Sequence, residues 1–233
     1  MMRKNTPWLY LLILLLLTGC ESSLSFDEYI KKAENYSAQG NNDKAIDTYK
    51  KALQLKPQDS TAHYALGSLY YEEWRAAARQ GATNSAELIK YNTKLKNLSY
   101  LAASEYNKAL QNDQGNWRAR YFVATDHYNN KRYHEAIKEF ITVTKYNPNY
   151  CAAYYVLSDA YLAIGDHDLG IQSINKAHEL DSDDEYYYYK LGKAYYFMKE
   201  ESKGFEMERK LQALDSEYYD ELLSYRFSHN REP

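Results

Sequence analysis

Residues 26–59 read FDEYIKKAENYSAQGNNDKAIDTYKKALQLKPQD, and this stretch decides the fold. Its informative residues are Ala33 and Tyr36, then Ala45, Tyr49 and Ala52, then Pro57. Within each half they recur every three or four residues, the spacing that puts side chains on one face of a helix. Small side chains at places 8, 20 and 27 of this 34-residue unit let two antiparallel helices approach closely, while places 4, 7 and 11 bury a stripe. Place 7 departs from the apolar pattern, being Lys32, and Pro57 stops the second helix.

The same pattern returns along the chain. Residues 60–116 carry Leu66, Gly67 and Tyr70 in the first half and Ala102, Tyr106 and Ala109 in the second, with 57 residues and hence 23 inserted. Residues 117–150 have Val123, Ala124, Ala136, Phe140 and Pro148, and residues 151–184 have Leu157, Ser158, Tyr161, Ile174 and Ala177. Residues 185–218 open with Leu191, Gly192 and Tyr195 but continue with Gly204, Phe205 and Glu208, a degenerate second half. These five units resemble the tetratricopeptide (TPR) repeat. The resemblance implies an all-α solenoid of about five antiparallel helix pairs, stacked into a right-handed superhelix because no pair buries enough by itself. Residues 219–233 then read as a capping helix and tail, with Leu222, Leu223 and Phe227 apolar and Asp220 and Glu221 near the helix start.

The first residues obey a different grammar. Arg3 and Lys4 precede an apolar run from Trp8 to Leu17, shorter than the ~20 residues that span a bilayer. Leu17-Thr18-Gly19-Cys20 resembles the lipobox of bacterial lipoproteins. The resemblance implies that residues 1–19 are a signal peptide, that Cys20 becomes an acylated N-terminus, and that residues 20–25 form a short tether. Glu21 to Ser25 reach at most ~18 Å, so the first repeats are expected against the bilayer of a cell envelope, on the periplasmic side, with inner and outer membrane both open. Losing Arg3 and Lys4 takes the formal charge from -3 to -5, an acidic body without a basic tail, which argues against nucleic acid as a partner. Cys151 is then the only other cysteine, so packing and not an internal disulfide must hold the fold.

In the TPR family places 5, 9 and 12 of each first helix face the concave groove. Place 5 reads Ile30, Tyr64, Tyr121, Tyr155 and Tyr189, and place 12 reads Ser37, Tyr71, Tyr128, Leu162 and Tyr196. Place 9 between them reads Glu34, Ser68, Thr125, Asp159 and Lys193, polar groups on offer to a peptide backbone. Two readings stay open: a tyrosine-lined surface for protein or peptide partners, or rings that pack between successive first helices. The family's carboxylate clamp would need Lys and Asn where Ile30 and Glu34 stand, which disfavours capture of a partner's C-terminus.

The insertion between Tyr71 and Ala102 extends both helices of its unit. Glu72 to Gln80 continue the first helix without a breaker, Gly81 ends it, and Ser85 starts another in which Leu88, Tyr91, Leu95, Leu98 and Ala102 are apolar. A hairpin lengthened by about three turns on each side is expected. Arg75, Arg79, Lys90, Lys94 and Lys96 against Glu87 make it basic, a secondary contact for anionic head groups or an acidic partner.

No catalytic motif, phosphate loop or metal spacing stands out, and no cofactor is implied. Asp166-His167-Asp168 reads as a turn and helix cap, and Asp181 to Glu185 lack the glycine of a calcium loop. The expectation is a non-catalytic, membrane-anchored scaffold for pilus or secretin piloting or for recruiting peptidoglycan enzymes. A carrier of a small molecule or glycan for a transport or polysaccharide export system is the other reading. The oligomeric state is not legible.

Overall fold

The computed structural model describes residues 24–81, 85–181 and 185–229. The expected signal peptide and Cys20 lie outside the described residues, as do Ser182, Asp183 and Asp184. Eleven helices and no strand are present among the described residues: α1 (Phe26–Ala38), α2 (Asn42–Leu55), α3 (Ser60–Gln80), α4 (Ser85–Asn112), α5 (Trp117–Asn129), α6 (Tyr133–Tyr146), α7 (Cys151–Ala163), α8 (His167–Leu180), α9 (Tyr186–Phe197), α10 (Glu201–Ala213) and α11 (Tyr218–His229).

The helices pair as α1 with α2, α3 with α4, and so on to α9 with α10, and each pair packs on the next. Short polar side chains start them. Ser25 and Glu28 form a reciprocal capping box on α1, and Asn41, Asp59, Asn116 and Asp166 each accept a backbone N–H from the first turn of α2, α3, α5 and α8. Asp166 therefore has the capping role expected for it.

Small residues make the pairing possible. Ala33, Ala45, Ala52, Ala109, Ala124, Ala136 and Ala177 are fully buried where paired helices meet, and a Cβ on Gly67 would come within 3.0 Å of the Tyr106 ring. Three core clusters follow one another along the stack. One runs from Ala33 to Ala119, a second from Ala124 to Ala160, and a third from Tyr155 to Leu222. All three are built from described residues within 26–229. His63 ties the first two units together: its Nδ1 lies 2.6 Å from Glu105 Oε2 and its Nε2 lies 2.9 Å from the Pro57 carbonyl.

The degenerate second half of the fifth unit folds by substitution of one contact for another. Gly204 admits the Tyr196 ring, and buried Glu208 accepts both the Tyr196 hydroxyl and the Arg226 guanidinium at 2.7 Å. A buried carboxylate is tolerated because both partners hydrogen-bond it. Arg226 comes from α11, which starts one residue earlier than expected and also seats fully buried Leu222 against Gly192 and Met207.

The insertion is a helical hairpin, but an unequal one. Helix α3 has 21 residues against 13 in α1, and α4 has 28 against 14 in α2. The extensions are thus about two and four turns instead of three each, because Gly81, at φ +66°, ends α3 early and leaves α4 to supply the rest. Inside the hairpin Ala77 is buried, Tyr91, Leu95 and Leu98 are half-buried, and the Tyr91 hydroxyl donates to the Ala78 carbonyl at 3.2 Å. Leu88, expected on this seam, is exposed.

Two outcomes follow from this packing. Gly204→Ala places a methyl 2.5 Å from a Tyr196 ring that is itself buried and hydrogen-bonded, so the better helix propensity is outweighed and a denaturant melt should show a loss of about 1–3 kcal/mol. Replacing residues 76–97 by a short turn, while sparing Leu98, which packs on the first core cluster, should leave one cooperative transition. Loss of cooperativity would mean that the hairpin belongs to the core.

Candidate functional site

The seven tyrosines expected in the groove divide into two groups. Tyr155 and Tyr196 are buried, at 5% and 4% exposure. Tyr155 meets the edge of Tyr186 at 4.9 Å between centroids, and Tyr196 spends its hydroxyl on Glu208. These two pack the third core cluster and offer almost nothing to a partner. Tyr64, Tyr71, Tyr121, Tyr128 and Tyr189 are half-buried, each with part of its surface in solvent.

The half-buried five form contacts with neighbouring rings, in several cases across units. Tyr64 and Tyr71 of α3 lie 6.4 Å and 5.1 Å from Phe122 of α5, and Phe122 stacks on Tyr106 of α4 at 4.5 Å. Tyr121 reaches Phe140 at 5.7 Å and Tyr150 at 5.1 Å. Tyr128 lies 5.6 Å from Tyr133. Tyr189 stacks on Tyr218 of α11 at 5.5 Å. Edge and offset contacts of this kind stabilise rings by ~0.5–1.5 kcal/mol each beyond burial, which holds each tyrosine in place without covering it.

Place 9 differs from the expectation of free polar groups. The Ser68 hydroxyl donates to the Tyr64 carbonyl at 3.0 Å and the Thr125 hydroxyl donates to the Tyr121 carbonyl at 2.8 Å, so both protons are committed to their own helices. Asp159 receives the buried Lys190 ammonium. Burial pushes the Lys190 pKa down while Asp159 opposes the shift. Lys193 sits 5.2 Å from the centroid of Tyr189 and 4.9 Å from that of Tyr225, a cation held over two ring faces. Oxygen acceptors and one cation are what the row presents.

Several contributors lie off the repeat template. Phe122, at place 6, joins the second unit to the third, while Tyr186 and Tyr218 complete a shallow depression with Tyr121, Cys151, Tyr155 and Val156. The run of four tyrosines at 186–189 is a visible sign of that wall. Tyr225 belongs to the cap, where no repeat place announces it. Between the second and third units a separate cleft is lined by Tyr71, Trp74, Tyr106, Phe122, Thr125 and Asp126. Ile30 and Glu34 of the first unit lie at another depression with Phe26 and Tyr49.

The secondary contact residues Arg75, Arg79, Lys90, Lys94 and Lys96 are all exposed, and Arg75 pairs with Glu72 at 3.0 Å. Cys151 is half-buried, with its thiol 3.4 Å from the Ala177 carbonyl.

The TPR repeat family matches residues 34–73, and the tetratricopeptide repeat family matches residues 123–185. Those two stretches are tetratricopeptide repeats. The fold of the chain is shared with solved structures of low identity. MamA from Desulfovibrio magneticus RS-1 is 19% identical, with a TM-score of 0.65 over 82% of this chain and 94% of that one. A tetratricopeptide repeat protein from Parabacteroides merdae ATCC 43184 is 13% identical, with a TM-score of 0.68 over 88% and 72%. Pseudomonas aeruginosa pilF is 20% identical, with a TM-score of 0.57 over 88% and 90%. No curated protein matches the chain.

Burial raises the tyrosine pKa values of the TPR groove, to about 12 for Tyr121, Tyr128 and Tyr225 from a usual value of 10. The hydroxyls therefore stay neutral throughout the physiological range. Because the unfolded chain loses these protons first, stability should fall as pH rises from 10 toward 12. Phenolate absorbance and circular dichroism followed together should show a last fraction of the tyrosines ionising only with the loss of helix above pH 10; complete tyrosine ionisation before any loss of helix would show that the rings are not held.

Proposed function

We propose that the protein is a non-catalytic scaffold of the cell envelope, anchored through acylated Cys20, which gathers protein partners along its concave groove. The observation that carries this reading is the set of half-buried tyrosines on the first helices α3, α5 and α9, each fixed by neighbouring rings and each keeping part of its surface in solvent. Rigid aromatic groups with a hydroxyl tip suit peptide recognition because little conformational freedom is lost on binding. The TPR fold supports the reading in general terms, since tetratricopeptide repeats commonly serve protein interaction.

The roles we favour are pilus or secretin piloting and recruitment of peptidoglycan enzymes. The lipobox-like Leu17-Thr18-Gly19-Cys20 supports the anchor, and the few residues before α1 would keep the first unit near the bilayer. A ligand carrier is less well supported. The tyrosine row runs along a groove with the shallow lining of Tyr121, Tyr155, Tyr186 and Tyr218, a shape better matched to an extended segment than to an enveloped small molecule.

The test is a cross-linked capture from native membranes with the intact chain, beside a variant carrying Tyr71→Ser, Tyr128→Ser and Lys193→Ser. Buried Tyr155 and Tyr196 are left alone so that the core survives. The expected outcome is loss of defined envelope proteins at a temperature where circular dichroism shows the variant still fully folded. Retention of the same partners would assign the row to packing and remove the groove from the proposal.

A further inference from the structure

The two most exposed large apolar side chains among the described residues are Ile89, at 74%, and Tyr100, at 73%, and both belong to the long helix α4. Eleven residues separate them, about three turns, so they point the same way at a spacing of about 16 Å. Thr93 and Lys96 fill the places between, giving an outward stripe Ile89, Thr93, Lys96, Tyr100 in which every residue is exposed. Lys90, Lys94 and Leu101 flank the stripe on one side, all exposed as well.

Basic charge predominates on this face, with exposed Glu87 one turn before Lys90 as the acidic group at its N-terminal end. From Leu88 to Ser104 the helix contains Lys90, Lys94 and Lys96 and no aspartate or glutamate, within a chain whose formal charge is -3. The inner face is occupied: Tyr91, Leu95 and Leu98 pack in the hairpin, and Ala102 and Tyr106 are core. The stripe is therefore surplus to folding, and leaving Ile89 and Tyr100 in water costs free energy that packing does not require.

We propose that the outer face of α4 is a contact for an anionic lipid surface, lying along the head-group region with Ile89, Tyr100 and Leu101 directed into the acyl boundary. The chemistry of each group fits that occupant. Lysines at 90, 94 and 96 can bury their aliphatic stems while keeping the ammonium groups among lipid phosphates. Tyrosine is favoured where an apolar body meets a wet tip. Each lysine near an anionic surface contributes favourably and additively, and no carboxylate between residues 88 and 104 opposes them. An acidic protein would have to set an apolar patch in register with its carboxylates, whereas an anionic bilayer presents phosphates and acyl chains along its whole face, and for that reason lipid is the assignment. No described helix is long and apolar enough to cross a membrane, so the contact is peripheral. It extends the membrane side of the proposed function but stands on α4 alone, without need of an acyl chain.

The experiment uses residues 24–233, which carry the three described core clusters and lack Cys20, so an acyl anchor plays no part and purified vesicles offer the groove no protein partner. Sedimentation is measured with mixed phosphatidylglycerol–phosphatidylcholine vesicles and with pure phosphatidylcholine vesicles. The protein should bind the mixed vesicles, lose binding in high salt and bind the neutral vesicles far less. Lys90→Gln, Lys94→Gln and Lys96→Gln together should lower partitioning about a hundredfold. Ile89→Ser with Tyr100→Ser should lower it at least about tenfold, both at unchanged circular dichroism. Equal binding to both vesicle types, or no response to the lysine changes, would overturn the proposal. Capture of soluble polyglutamate without vesicle binding would overturn it in favour of an acidic protein partner.

Discussion

Close approach of two antiparallel helices at a small residue is the constraint on which the rest of the molecule depends. Where Ala33, Gly67, Ala124 and Gly192 stand in the first helix of their units, the partner helix can come near enough for its large side chains to interdigitate. The consequence propagates because each unit shares its buried face with the next. Phe122 does so between the second and third units, stacked on Tyr106 and touched by Tyr64 and Tyr71. Leu222 does so at the end of the stack, pressed against Gly192 and Met207. With a single described cysteine and three serial clusters, the described chain gains its rigidity from these junctions.

The same geometry explains why tyrosine serves two purposes at equivalent places. Place 12 is half-exposed at Tyr71 and Tyr128 but buried at Tyr196, and the difference lies in what faces it. Opposite Tyr196 the chain has Gly204, and the empty volume draws the ring in until its hydroxyl meets Glu208. Glu208 then needs a cation, which α11 supplies as Arg226. A glycine and a glutamate that look like decay of the repeat thus form the socket that fixes the cap.

Repeat period and helix pairing were legible because each depends on local chemistry: spacing of apolar residues, the turn and cap at Asp166, and breaks at Pro57 and Gly81. What was not legible depends on partners distant in sequence. Tyr155 and Tyr196 read as groove residues from their places alone, yet Tyr186 and Gly204 decide their burial. Ser68 and Thr125 read as open donors, yet a hydroxyl on a helix can turn its proton to the carbonyl four residues back. The hairpin's inequality followed from where Gly81 falls, and a symmetric division of the insertion ignored it. Tyr225 had no place in any repeat, since a cap is where the period stops.

Solenoids separate the surfaces that fold from the surfaces that bind more cleanly than globular domains, because each helix has one face committed to its neighbours and another that stacking never covers. In α4 that separation is sharp: Ala102, Glu105, Tyr106 and Ala109 are buried, while Ile89, Thr93, Lys96 and Tyr100 contact nothing that the fold requires. In the first helices it is blurred, for Tyr64 and Tyr71 are at once inter-unit packing and groove wall. A partner pressing on those rings would press on the junction between units. Pressure on the groove there bears on the stacking of the second and third units, whereas the outer face of α4 can be occupied without disturbing them.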